Sequence, residues 1–174
     1  MRKACLTVIS VALLVGCSTD ITGNAVADSP TDQTFDPCTI PDSTITAAGL
    51  DPASKDSMAD KGYTTPGWTI CGWEGPAGEP WYSISVYASP THTIEEVRED
   101  SRYLNMLEIE VADRSAVRYE STVAPRGEIC DLAFATNSGL IKVSALKNGS
   151  SDTTGDHCAI VSDHTERLSS AIPS

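Results

Sequence analysis

Ile129-Cys130-Asp131-Leu132-Ala133-Phe134-Ala135-Thr136, Asn137-Ser138-Gly139 and Leu140-Ile141-Lys142-Val143-Ser144-Ala145-Leu146 form one continuous stretch that decides the fold. Two apolar runs of strand length flank a cluster of turn-forming residues, so the stretch reads as a β-hairpin of two long strands. Downstream, His157 to Ala171 carries Val161, His164, Leu168 and Ala171 on one helical face and is stopped by Pro173. Its pattern predicts a terminal helix packed on the hairpin. Upstream, Ala116 to Val123 reads as a further strand, with Val117, Tyr119 and Val123 on one side.

Thr93 to about Met106 reads as the best helix of the chain. Thr93 and Glu96 have capping-box spacing, Ile94, Val97, Ser101 and Leu104 form a stripe, and Glu95, Glu96, Glu99 and Asp100 crowd the first half, where the helix dipole favours acid. Trp68 to Trp73 and Trp81 to Ala88 read as strands around the turn Glu74 to Pro80. If Trp73 lies opposite Trp81, then Trp68 and Ile70 share an aliphatic core face with Ile84 and Val86. Cys71, Trp73 and Trp81 then share the other face. Ile40 to Gly49 reads as a short helix and Lys55 to Gly67 as a loop. Strand pairs separated by one helix and capped by another predict an α+β domain over residues 35–174, an antiparallel β-sheet with two or three helices.

The N-terminus has a different character. Arg2 and Lys3 precede the apolar run Ala4 to Val15, and Leu14-Val15-Gly16-Cys17 follows the order of a bacterial lipobox. A dozen apolar residues rise only about 18 Å, short of the roughly 30 Å hydrocarbon core, so they read as an export signal rather than a span. An ordinary cleavage site ends in small residues spaced A-x-A, and Leu14 with Gly16 does not fit it. Resemblance to a lipobox implies residues 1–16 as a lipoprotein signal peptide and Cys17 as the lipidated residue. Residues 17–34, polar and without hydrophobic period, are then a flexible tether. The expected location is the cell membrane, lipid-anchored (palmitate and diacylglyceryl chains) and facing the extracytoplasmic side.

That compartment sorts the six cysteines. Cys5 leaves with the leader and Cys17 is consumed by lipid, so Cys38, Cys71, Cys130 and Cys158 are expected to form two disulfides. Three pairings are formally open. The hairpin geometry favours Cys130–Cys158, because the return strand and the following loop deliver Cys158 to the end where Cys130 stands, leaving Cys38–Cys71. Each bridge closes a loop of about thirty residues, worth roughly 3.5 kcal/mol of chain entropy. A zinc site is the alternative, yet no two cysteines are spaced C-x₂₋₄-C.

The chain carries 12 Lys and Arg against 24 Asp and Glu, and losing residues 1–16 with Arg2 and Lys3 moves the formal charge from −12 to −14. Such acidity excludes nucleic acid as a partner, since phosphate binding needs basic residues. The expected partners are the membrane through lipid on Cys17, and an envelope protein or small ligand. No G-x-S-x-G, H-E-x-x-H, Walker loop, C-x-x-C or D-x-D-x-D-G calcium loop occurs, and no cofactor or metal is expected. His157 and His164 stand seven apart on one helical face, about 10 Å along the axis, too far to share one metal. Asp156 and Asp163 read as a cap and a solvated neighbour. Asn148-Gly149-Ser150 is a formal sequon that reads as a loop.

Aromatics are concentrated from Tyr63 to Tyr87 in an otherwise aromatic-poor chain. They serve either as core and disulfide cover or, at Trp73 and Trp81, as an exposed platform for a sugar, lipid or peptide.

Asp36-Pro37-Cys38 before a short helix, Cys71-Gly72-Trp73 on a strand, and Asp156-His157-Cys158 opening a helix that ends Ala171-Ile172-Pro173 occur in that order behind a lipobox. In this the chain resembles the uncharacterised actinobacterial lipoprotein family catalogued as domain of unknown function 3558. The resemblance spans nearly the whole mature domain. It implies a surface lipoprotein with two disulfides and brings no catalytic residues with it. The functional expectation is a non-catalytic ligand- or protein-binding module rather than an enzyme. The alternative is an envelope hydrolase whose site is assembled from distant residues.

Overall fold

The computed structural model describes residues 34–76, 80–149 and 155–174. The leader, Cys17, nearly all of the tether and Ser150 of the sequon lie outside the described residues. Seven strands form one antiparallel sheet: β1 (Asp56–Ser57), β2 (Thr69–Glu74), β3 (Tyr82–Ser89), β4 (Tyr103–Val111), β5 (Arg114–Ser121), β6 (Ile129–Thr136) and β7 (Gly139–Lys147). They are ordered β1-β2-β3-β7-β6-β5-β4. Among the described residues three α-helices accompany them: α1 (Asp42–Ala47), α2 (Ile94–Glu99) and α3 (His157–Leu168). The α+β class is as the sequence predicts.

The founding hairpin is β6–β7. Its register runs from Thr136 opposite Gly139 to Ile129 opposite Leu146. Gly139 has φ +120°, and a Cβ there would overlap the Ser89 carbonyl oxygen, so glycine is required by both conformation and close approach. Alternation then sorts the side chains. Leu132, Phe134, Ile141, Val143 and Ala145 face one core with Val161 and Leu168 of α3, and each fully buried aliphatic contributes roughly 1.5–3 kcal/mol. Ala133 and Leu140 face the opposite side, where they join Val117, Tyr119 and Val97 beneath α2.

Both disulfides pair as expected, with Cα–Cα distances of 5.2 Å for Cys38–Cys71 and 5.1 Å for Cys130–Cys158. The second ties the start of α3 to the hairpin. Asp156 caps that helix, its carboxylate accepting from the amides of Cys158 and Ala159 at 2.9 and 3.1 Å. At the other end Arg114 donates to the carbonyls of Ser169, Ile172 and Pro173 at 2.9–3.2 Å and lies over the Phe134 ring. The C-terminal segment is thereby fixed to the sheet.

Two expectations are corrected. The long helix over Thr93 to Met106 is only Ile94–Glu99. Its capping box is present as predicted, but Asp100 turns to extended backbone and its carboxylate accepts the Arg102 amide at 3.0 Å, a side-chain turn that competes with helix. Residues 103–111 continue as β4. A bulge between Leu104 and Leu107, with Asn105 at φ 52°, shifts the alternation. Tyr103 and Met106 therefore face the same side, whereas Leu104, the last member of the expected helical stripe, is exposed.

The second correction concerns the tryptophans. Trp73 pairs with Ile84, not Trp81, and Cys71 pairs with Val86. This offset is an odd number of residues, which exchanges faces. Cys71 and Trp73 thus join Ile84 and Val86 in the α3-side core, and Trp73 is 1% exposed. Trp81 lies before β3, half-buried, edge-on to Tyr82 and His157 with ring centroids 4.9 and 5.6 Å away. The paired indole platform does not form, because one ring fills the core and the other covers the start of α3.

Candidate functional site

The uneven covering of the sheet defines the site. On the side away from α3, α2 packs over Val117, Ala133 and Leu140. The neighbouring row of side chains lies beyond it. Tyr119 stands opposite Asp131, Asp131 opposite Ser144, Ser144 opposite Ser85, and Ser85 opposite Gly72. The row is polar across five strands because each member has the parity of the outward face. Gly72, itself opposite Asp56 of β1, leaves the row without a side chain, since a Cβ there would come within 2.9 Å of the Ser85 hydroxyl.

Asp131 is the centre of the row. It is 3% exposed, and its Oδ1 has no hydrogen-bond partner among the described residues. A buried acceptor left open costs about 1–3 kcal/mol. Burial pushes its carboxyl up from the ordinary range, against the opposing pull of Lys142 and Ser144. Lys142 sits one row away, opposite Tyr87, and its Nζ is 3.8 Å from the Tyr87 ring centroid and 5.8 Å from that of Trp68. The ammonium is thus placed on aromatic faces, where a partly desolvated cation–π contact is worth roughly 1–2 kcal/mol.

A concavity of about 190 Å³ opens here, lined among others by Tyr87, Arg102, Tyr103, Asp131, Lys142 and Ser144. Arg102 is braced by Asp100 through contacts of 2.5–3.1 Å, which holds the Asp100 carboxyl down at about 2. Tyr103 stacks on Tyr119 with centroids 4.1 Å apart. Burial, with Asp131 alongside, pushes the Tyr119 phenol far above its ordinary range. Arg102 and Tyr103 also line a second concavity of about 270 Å³, bounded by Trp68, His92 and Glu96. The two hollows are neighbours across a shared wall.

The histidines stand away from the Asp131 hollow. His92 Nδ1 lies 2.9 Å from Glu96 Oε2 while its ring stacks on Trp68. Glu96 also accepts the Thr93 amide, and Thr93 Oγ1 accepts the Glu96 amide. This histidine, carboxylate and hydroxyl lie together at one hollow, but their mutual bonds are those of a helix cap. His164 Nε2 is 2.9 Å from the Tyr82 hydroxyl in the α3-side core. His157 is buried at the start of α3. Among the described residues no group of three His, Cys, Asp or Glu is placed to hold a metal ion.

The sequence reading missed Asp131, Lys142, Tyr87 and Ser144. A signal was present: Asp131 and Lys142 are the only charged residues in the two runs of the hairpin. With the turn placed at Asn137-Ser138 they share the face of Ala133 and Ser144, and lone charges inside long apolar strands are seldom core.

A sheet covered on one side by a disulfide-tethered helix, and left partly open over a buried acid on the other, defines an α+β domain with a small polar hollow. The chain belongs to the family described as protein of unknown function (DUF3558), whose model matches residues 12–170. No curated protein and no solved structure matches the chain.

Proposed function

We propose that the protein is a lipid-anchored, non-catalytic binding module of the cell envelope, and that its ligand site is the open half of the sheet around Asp131. The leader and Leu14-Val15-Gly16-Cys17 support the anchor. One observation carries the site: Asp131, a buried carboxylate whose Oδ1 has no partner among the described residues, lines a hollow walled by two tyrosines and two cations. A group left unsatisfied at a cost of stability is characteristic of a place that a ligand completes. The proposed partner is accordingly a small molecule.

The test has two arms. Metabolic palmitate labelling should mark the wild-type chain and be lost in Cys17→Ala, and continued labelling of the variant overturns the anchor. Hydrogen exchange of the full chain, with and without a small-molecule extract of the envelope, should show protection in peptides 83–87, 129–133 and 142–146. Protection confined to other peptides overturns the site.

A further inference from the structure

We infer that the hollow over Asp131 binds a neutral polyhydroxylated ligand, a sugar ring, through hydrogen bonds to Asp131 and Ser144 and contact with Tyr103. This rests on the proposed site and names its ligand class. The unpartnered Oδ1 of Asp131 needs a donor, and a hydroxyl or an ammonium would supply one. An ammonium would meet Lys142 and Arg102, both lining the same hollow. An anionic ligand would meet Asp131 itself, and Arg102 is already engaged by Asp100. A ligand without net charge, rich in groups that both donate and accept, avoids both conflicts.

Topology argues against an extended peptide. Asp131, Ser144 and Tyr87 lie on β6, β7 and β3, each paired on both sides. Their backbone groups are consumed by the ladder, so no strand can be added there. Recognition must come from side chains, and hydroxyls on a rigid ring present several donors and acceptors at once. The apolar face of such a ring suits an aromatic wall. Tyr103 supplies it: one face stacks on Tyr119, and the residue borders both hollows. A ligand longer than one ring would pass Tyr103 toward Trp68, in the larger neighbouring concavity.

The experiment is ligand-observed NMR on the full chain with a panel of hexoses, N-acetylhexosamines and their disaccharides. Putrescine, succinate and a Gly-Ser peptide serve as charged and amide-bearing probes. The inference expects binding of at least one sugar and a loss of about tenfold or more in Asp131→Asn. That variant keeps the shape but replaces one acceptor by a donor. Leu107→Ser, on β4 and remote from the hollow, should bind as wild type. Thermal melts of both variants establish that they fold. Binding of putrescine, succinate or the peptide alone, weakened in Asp131→Asn, overturns the sugar inference and leaves the site standing. Sugar binding that Asp131→Asn leaves unchanged overturns the site as well. If no probe binds, the sugar inference falls, and protection by the envelope extract then decides the site separately.

Discussion

Asp131 is costly to the fold it belongs to, and that cost is measurable. Its carboxyl is raised by burial, so from the unfolded value near 3.9 up to the raised native value the folded state holds a proton that the unfolded state has released. Stability therefore falls as pH rises through that window. The charged and titratable neighbours are Lys142, Arg102, Tyr87, Tyr103 and Tyr119. Arg102 and the three tyrosines are each raised from ordinary values that already lie above the window, so they do not invert the sign. Asp131→Asn should raise the thermal midpoint at neutral pH and flatten the slope of urea midpoint against pH between pH 4 and 7. A variant less stable than wild type at pH 7 would show that the carboxylate is satisfied in the fold. Gly139 is the opposite case, a residue chosen by the backbone alone. With φ +120° and the Ser89 carbonyl oxygen occupying the place a Cβ would take, Gly139→Ala should cost about 2 kcal/mol or more, read as a lower urea midpoint.

At the scale of elements, α3 carries the clearest pH response. Burial lowers the His164 imidazole below its ordinary value, with Asp163 opposing, and lowers that of His157 likewise. Below about pH 6.5 the unfolded chain takes up protons that the native helix refuses. The stability this contributes is complete above pH 6.5 and is lost as pH falls toward the lowered native values. Its sign is opposite to that of Asp131, so a single profile would mix the two. His164→Gln should reduce the loss of stability between pH 7 and 5 relative to wild type, and an unchanged slope would refute the assignment. In α2, Thr93→Ala removes the acceptor of the Glu96 amide and should cost about 1 kcal/mol. The capping box also places Glu96 and His92 beside Trp68, so loosening it should enhance amide exchange in residues 91–99.

For the whole molecule, the two bridges staple an N-terminal and a C-terminal segment of the domain to the sheet. Cys38–Cys71 fastens the N-terminal segment to β2, and Cys130–Cys158 fastens α3 to β6. With separations of 33 and 28 residues, removing either pair as Cys→Ala should cost about 3–4 kcal/mol. Losing Cys130–Cys158 should in addition raise exchange along α3, whose Val161 and Leu168 close the larger core. Equal exchange in α3 with and without the bridge would show that packing alone retains the helix.

Much of this was legible in order along the chain. The hairpin at 129–146, the terminal helix with Val161, His164 and Leu168 inward, the Asp156 cap, both disulfides and the α+β class follow from alternation, helical period and turn chemistry. These signals are local, or close over short loops. What the sequence by itself did not determine was register and covering. Whether Trp73 lies in the core or on a surface depends on which residue of β3 it meets, and an odd offset reverses the face without changing any local propensity. The helix begun at Thr93 stops at Asp100, whose side-chain turn to the Arg102 amide leaves no break in the apolar pattern. The site is a consequence of both. Asp131, Ser144, Tyr119 and Lys142 come from three separate strands, and only the pairing of β5, β6 and β7 brings them together. Only the shortness of α2, six residues long, leaves room for a hollow beside them. Secondary structure is decided by neighbours along the chain, whereas a binding face is decided by which strands meet and what is left to lie over them.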